Sequence, residues 1–442
     1  MMSMSDKTKQ LYIETYGCQM NMADTEVVLS VLNGAGYTPT RDASAADVIL
    51  VNTCSVRDNA EARVKQRISE LKTHKRNNPD VLIGVLGCMA ERLRTELIDK
   101  NNVVDMVVGP DEYRKLPALI DDAYAGQRGI AVKLSRVENY DDIIPLRTEG
   151  ISAWVSVMRG CDKFCTFCVV PFTRGRERSR TLKNVVEEVH MLSAQGFKEV
   201  TLLGQNVNSY HDGESDFADL LDAVAGVDSA VRIRYMTSHP QDMSDKLIET
   251  MAKHHNICKY VHLPVQSGSN RILKLMNRTY TIEQYLGLMD KIKTSLPGVS
   301  FSTDIMAGFP TETTEDHQMT IDVLKHVKYD GAYMFKYSPR ENTKAWEMGD
   351  DVPEESKMER LNEIITLQEE ISLELNRSEI GKTVDVLVER DSSRSPDDLL
   401  GRTDTNKKTL FPRGNASVAE YRKVKIERAT AHTLFGTLVN EN

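Results

Sequence analysis

The stretch AWVSVMRGCDKFCTFC, residues 153–168, decides the fold. An apolar run rich in valine ends at Gly160, and three cysteines follow at CxxxCxxC spacing: Cys161, Cys165 and Cys168. A strand that delivers three thiols on one loop suits a [4Fe–4S] cluster, whose irons take cysteine ligands. Three ligands leave one iron open to something else. Structural zinc is the rival, but such sites are normally closed by four ligands. No CxxH and no fourth cysteine lies nearby, and His190 is distant in sequence.

From this point apolar runs recur near 153–158, 198–203, 231–236, 260–263, 300–306 and 331–337, with helical patterns between them. Strand–helix alternation predicts a parallel sheet, and six such units predict an incomplete barrel, open on one side. Ligands bind a barrel at the carboxyl ends of its strands. Gly204, Gln205 and Asn206 follow the second strand, and Ser238, Gln266 and Asp304 lie at or beyond later strand ends. Polar residues at such positions also serve merely as turn and cap formers. A helix rich in Glu and Leu is expected over 353–377. Beyond it, TVDVLVE and YRKVKIE, separated by SSRSPDD and FPRGN, predict a small β-barrel.

The N-terminal region has its own alternation. Short Val-, Ile- and Leu-rich runs at 11–16, 48–53, 81–86 and 103–108 read as buried parallel strands. Val27, Val28, Val31, Leu32 and Ala35 repeat at helical spacing between them, as do Val64, Ile68 and Leu71. Cys18, Cys54 and Cys88 each stand just past one of these strands. In open α/β sheets ligands sit beyond the carboxyl ends, where strand order reverses, so three thiols far apart in sequence are expected to meet. Three small core cysteines are the bland alternative, and the repeated position counts against it.

The fold class is therefore α/β in three domains and a linker: an open parallel α/β domain over 8–126, a weakly patterned linker over 127–147, a partial (β/α)6 barrel over 148–376, and a small β-barrel over 377–442. The chain of 442 residues is long enough for several cores. No run is long enough to span a bilayer, and the first ten residues lack the apolar core of a secretory signal. These features lead to the expectation of a cytoplasmic protein without a membrane partner. Seven cysteines, an odd number with three of them directly after glycines, favour metal chemistry over disulfides. Cys258 reads as a buried free thiol without a role.

CxxxCxxC after the first strand of an open barrel resembles the radical S-adenosylmethionine (SAM) superfamily. The strand-end cysteines resemble those of the methylthiotransferase family, and the terminal barrel resembles a TRAM domain, an RNA-binding module. Gln19, Met20 and Asn21 follow Cys18, where ribosomal-protein methylthiotransferases carry Pro-Lys-Asn and enzymes acting on threonylcarbamoyl-adenosine carry Lys-Val-Asn. ETYGCQMNMADTE is instead similar to the branch that acts on isopentenylated adenosine beside the tRNA anticodon; PFTRGRERSR and HLPVQSGSN match as well.

The resemblance implies two [4Fe–4S] clusters, one on Cys161, Cys165 and Cys168 and one on Cys18, Cys54 and Cys88. It implies SAM on the open iron of the first, cleaved to a 5′-deoxyadenosyl radical, and sulfur at the second. Two SAM molecules would be used per product. Phe167 would lie against the SAM adenine, an alternative to ordinary loop packing, and Gly204, Gln205, Asn206, Ser238, Gln266 and Asp304 would line the SAM site. No catalytic residue beyond the cluster ligands is implied. The partners implied are the tRNA anticodon stem-loop, a reducing electron donor protein and a sulfur-supplying system; a monomer is expected. A non-catalytic RNA-binding protein with structural metals is disfavoured by two groups of three cysteines in place of groups of four.

Charge supports RNA only locally. The formal net charge is −9, but residues 377–442 hold 12 Lys+Arg against 10 Asp+Glu, leaving −11 for the rest. Within 402–428 the balance is 8 basic to 3 acidic, which fits phosphate binding. The tract PFTRGRERSRTLK adds Arg174, Arg176, Arg178 and Arg180 in alternation, which in an extended segment share a face. If both triads hold clusters, an anaerobic preparation should be brown and contain about eight irons per chain. A colourless zinc protein, measured by metal analysis, is the opposing outcome.

Overall fold

The computed structural model describes residues 8–55, 58–99, 103–147 and 150–439. The N-terminal sheet contains β1 (Lys9–Thr15), β2 (Tyr37–Pro39), β3 (Val48–Thr53), β4 (Leu82–Gly87), β5 (Met106–Val108) and β6 (Gly129–Ala131). Its order is β2-β1-β3-β4-β5-β6, with every pair parallel. β3 and β4 are buried along their whole length, because helices cover both faces. Leu50 packs into one core with Val28, Leu32 and Tyr113. Its neighbours Ile49 and Val51 pack into the other with Val64, Ile68 and Met89. Strand order reverses between β1 and β3, since helix α1 (Gln19–Gly34) leads from β1 to β2 on one side and β3 joins the other. Cys18, Cys54 and Cys88 therefore follow three adjacent strands at that point.

The segment 127–147, expected to be a linker, is woven into the structure. It contributes β6, and Tyr140 within it is only 2% exposed. The expected start of the barrel domain at 148 falls outside the described residues.

The barrel contains β7 (Ser152–Ser156), an antiparallel pair β8 (Met158–Arg159) and β9 (Arg178–Ser179), β10 (Glu199–Leu203), β11 (Arg232–Tyr235), β12 (Tyr260–His262), β13 (Ser300–Ala307) and β14 (Gly331–Lys336). Two parallel three-stranded sheets, β7-β10-β11 and β12-β13-β14, are joined by a parallel bridge from Ile233 to Ile257. Val155, Val200, Leu202, Ile233, Val261 and Phe301 pack outward against the helices. The residues that alternate with them line the lumen.

The helix Glu354–Arg377 runs along β14 and leads to β15 (Thr383–Asp391), β16 (Asp398–Thr403), β17 (Lys408–Pro412), β18 (Tyr421–Ala429) and β19 (Leu434–Leu438). These close into a barrel in the order β15-β16-β17-β19-β18 around Val386, Val388, Leu399, Phe411 and Val424. This barrel docks on the N-terminal ends of the larger barrel's strands. Arg234 donates to the carbonyls of Thr403 (2.6 Å) and Asp404 (3.0 Å), Arg232 to those of Arg402 (2.8 Å) and Asp385 (3.0 Å). Glu199 accepts from Arg234 Nε at 2.7 Å. Among the described residues no helix is long and apolar enough to cross a membrane.

Arg234→Ala would leave Glu199 buried without its cation and two carbonyls without their donor. Breaking a buried pair in this way costs about 3–5 kcal/mol. Limited proteolysis should then cleave the joint after residue 377 faster than in the parent protein; an unchanged cleavage pattern would show that the docking does not depend on this residue.

Candidate active site between two thiol triads

Each triad is assembled by a chain turn that only glycine permits. Gly17 has φ +123°, and a Cβ there would lie 2.4 Å from Cys54 Cβ. Gly160 has φ +79°, and a Cβ there would lie 2.0 Å from the Arg176 carbonyl oxygen. Such close approach excludes any side chain. It lets Cys18 come over Cys54, and it lets the loop carrying Cys161 run against residues 175–176, where Cys161 N donates to the Gly175 carbonyl at 3.2 Å.

The barrel loop is held from several sides. Thr166 Oγ1 donates to the Leu275 carbonyl (2.9 Å), and Asn277 Nδ2 to the carbonyls of Lys163 (3.1 Å) and Phe164 (3.0 Å). Its three thiols are half-buried, and the charge of neighbouring cysteines reaches Cys161 and Cys168. Burial pushes Cys161 and Cys168 each up to about 12. The buried Arg278 adds positive charge beside Cys165 and Cys168. In the N-terminal triad Cys18 is exposed, whereas Cys54 and Cys88 are buried.

The two triads are neighbours. The helix Cys88–Leu93 packs on the helix Val170–Thr173, which begins two residues after Cys168. Arg174, at the end of that second helix, donates from Nε to Cys88 Sγ at 3.2 Å. Its Nη2 donates to Asn21 Oδ1 (3.0 Å) and Asp24 Oδ2 (2.8 Å). Asn21 Oδ1 lies 3.7 Å from Cys18 Sγ. Asp24, fully buried, also pairs with the buried Arg159. Burial pushes the Asp24 carboxyl up, but Arg159 and then Arg174 overcome this and hold it below its ordinary range. Burial raises the Cys88 thiol, and Arg174 opposes that rise.

These contacts correct one expectation. The alternating arginines of TRGRERSR do not share an RNA-facing surface. Arg174 pairs with Asp24, Arg178 with Asp111 (2.9 Å), and Arg180 with Glu188 (2.6 Å) and Asp141 (3.1 Å), all internally. Only Arg176 of the four is exposed, and it pairs with Asp162 at 2.6 Å. The tract joins the two domains. In the C-terminal barrel Lys408, Lys423, Lys425 and Arg428 do face outward, while Lys407 turns in to Asp330 at 2.5 Å.

At the strand ends, Gln205 Oε1 accepts from the backbone of Gly160, which ties the β10 end to the cysteine loop. Gln205 Nε2, Asn206 Oδ1 and Ser238 Oγ are buried without a hydrogen-bond partner. Buried polar groups are normally paired, so these three atoms are left open to a polar partner. Gln266, at φ +66°, bridges to β13, and Asp304 lies 3.5 Å from His262 Nε2. Phe167 is half-buried edge-to-face on Phe309, ring centroids 6.4 Å apart. Sequence reasoning missed Asp24 and Arg278. Asp24 sits in the helical MADTE run, where its burial has no local signature.

Among the described residues no three His, Cys, Asp or Glu side chains group tightly enough to hold a single metal ion, as closed zinc sites require. Thiols placed around a wider four-iron cube need no such contact. The donor chemistry and the cationic surroundings fit that group.

Comparison with known proteins agrees with this layout. The family described as Uncharacterized protein family UPF0004 matches residues 10–109, the Radical SAM superfamily residues 155–324, and the TRAM domain residues 377–439. The tRNA-2-methylthio-N(6)-dimethylallyladenosine synthase of Chloroherpeton thalassium is 50% identical over 430 residues, 97% of this chain and 95% of the relative. That of Bacteroides thetaiotaomicron is 50% identical over 440 residues, 98% and 96% of the two chains. Among solved structures, the radical S-adenosylmethionine methyltransferase TsrM from Kitasatospora setae, with cobalamin and a [4Fe–4S] cluster bound, aligns with a TM-score of 0.59 at 14% identity, covering 77% of this chain and 74% of its own. That likeness is one of fold.

Fold and thiol loop thus define a radical SAM enzyme, with SAM and iron–sulfur chemistry as its cofactors. The chain belongs to the tRNA-2-methylthio-N(6)-dimethylallyladenosine synthase family.

Arg174 meets three partners at fixed angles, which a lysine ammonium cannot reproduce. Arg174→Ala and Arg174→Lys should both lower the thermal unfolding midpoint, the first by the equivalent of about 3–5 kcal/mol. Rescue by Lys in a thermal melt would show that charge alone matters.

Proposed function

We propose that this chain inserts a methylthio group at carbon 2 of N6-dimethylallyladenosine, at position 37 of tRNA. In this reading Cys161, Cys165 and Cys168 hold one [4Fe–4S] cluster and Cys18, Cys54 and Cys88 hold another. The observation that carries it is the packing of the Cys88 helix on the Val170–Thr173 helix, with Arg174 donating to Cys88 Sγ. It supports a reading in which the two triads act side by side. When bound, the barrel cluster and SAM supply a carbon-centred radical, and the second cluster supplies sulfur.

The chain's residues bind, orient and exclude water. Gln205 Nε2, Asn206 Oδ1 and Ser238 Oγ offer one donor, one acceptor and one hydroxyl, which suits the amino and carboxylate groups of SAM. Phe167, anchored by Phe309, leaves its exposed part to the SAM adenine. Gly204 keeps the β10 end tight, since a Cβ there would lie 2.5 Å from Met158 Cγ. Gln266 and Asp304 stand on the far side of the lumen. The outward cations of the C-terminal barrel attract the RNA backbone. An electron donor protein and a sulfur-supplying system complete the cycle, in the cytoplasm.

The test is mass spectrometry of tRNA nucleosides from cells with and without the gene, which should show loss of the methylthio nucleoside and accumulation of its dimethylallyl precursor. A folded triple variant, Cys18→Ala, Cys54→Ala and Cys88→Ala, should keep about half its iron. It should still form 5′-deoxyadenosine and make no methylthio product. Product from that variant would remove the second cluster from the reading.

A further inference from the structure

The interface between the N-terminal domain and the barrel is sealed mainly by charge: Asp24 with Arg159 and Arg174, Asp111 with Arg178, and Arg147 with Glu26 (2.9 Å) and Glu188 (2.7 Å). One apolar cluster interrupts it. Met20 and Ala23, at the start of α1, pack on Leu203, with Trp154 and Met236 only partly buried against them.

The position of this cluster is specific. Met20 lies two residues beyond Cys18, Leu203 immediately precedes Gly204, Gln205 and Asn206, and Met236 lies two residues before Ser238. The cluster is therefore bounded by the N-terminal triad on one side and by the three unpartnered polar atoms on the other. Val155, Leu202 and Tyr235 belong to the core behind the strands. By alternation their neighbours Trp154, Leu203 and Met236 point into the lumen.

The opposite wall of the lumen is polar. His262 Nδ1 lies 2.8 Å from Ser302 Oγ and its Nε2 3.5 Å from Asp304, and the Tyr333 ring meets it edge-to-face at 5.6 Å. The mouth of the barrel thus has two chemically distinct sides. The Met and Leu surface offers no hydrogen-bond partner to the nitrogens of a purine or the hydroxyls of a ribose, and burying those groups there unpaired is unfavourable. It does suit a branched hydrocarbon substituent.

We infer that Met20, Leu203, Trp154 and Met236 form the receptor for the dimethylallyl group of the substrate adenosine, so that the prenylated base is selected by apolar burial. This rests on the function proposed above, which supplies the substrate. Met20 and Leu203 form its buried back, and Trp154 and Met236 give the uncovered surface. Because Cys18 caps α1 and Met20 lies in its first turn, the same helix start that presents the first triad also contacts the prenyl group. Seating that group would place the base against the sulfur-bearing side.

The test compares equilibrium binding of two anticodon stem-loop RNAs by fluorescence anisotropy, one carrying N6-dimethylallyladenosine and one plain adenosine at the same position. The full chain with its clusters is used, without reductant, so that no turnover occurs. Single methylenes in apolar pockets discriminate by roughly 10–200-fold, so the parent protein should prefer the prenylated RNA at least about tenfold. Met20→Thr and Met236→Thr, on two different elements, should each reduce that ratio to within about threefold, on the same scale. Met236→Leu should preserve it, which a loss of fold would not allow; circular dichroism checks each variant. A parent protein that binds both RNAs equally, or a preference that survives both Thr variants, overturns the receptor. Nucleoside mass spectrometry reads the proposed reaction separately: product in cells with no binding preference refutes only the receptor, and absence of product refutes the reaction.

Discussion

The buried carboxylate of Asp24 organises this molecule. It belongs to α1 of the N-terminal domain, yet both of its cationic partners, Arg159 and Arg174, come from the barrel. A buried charge left alone is strongly destabilising, whereas one held by two guanidiniums fixes geometry. Because Arg174 also reaches Cys88 Sγ and Asn21, the pair does more than join two domains. It sets the register between a triad on one domain and a triad on the other. A shift of one domain over the other would strand these charges in a dry interface, so the two sets of thiols are held at one relative placement.

Much of this was legible from residues alone. The repeated Cys position after apolar runs predicts convergence, because a parallel sheet forces consecutive strand ends to one edge; β1, β3 and β4 are indeed neighbours. The CxxxCxxC loop and the six barrel units are equally local signals. The arginine tract was misread for a physical reason. Alternating Arg174, Arg176, Arg178 and Arg180 have the pattern of an exposed basic strip, and nothing nearby announces Asp24, Asp111 or Asp141, which lie 150, 67 and 39 residues from their partners. Long-range charge pairing leaves no periodicity. The linker reading of 127–147 missed for a related reason: β6 is a three-residue edge strand, too short to show alternation, and Tyr140 is buried by contacts with residues distant in sequence.

The two ends of the large barrel have opposite tasks, and the C-terminal barrel explains how both are met. A parallel barrel of six strands is incomplete and would leave the floor of its lumen open. Here the floor is occupied by Arg232, Arg234 and Glu199, and their remaining donors are satisfied by main-chain carbonyls at Asp385 and Arg402–Asp404. Recognition of backbone carbonyls rather than side chains makes this joint depend on the path of the chain. The Tyr421 hydroxyl reinforces it by donating to the carbonyls of Lys198 (2.7 Å) and Ala230 (3.1 Å). The result is a lumen stopped at the end away from the thiols. Exclusion of water from the reacting end is what chemistry with reactive intermediates requires. The domain that carries the outward cations thus also closes the floor beneath the site.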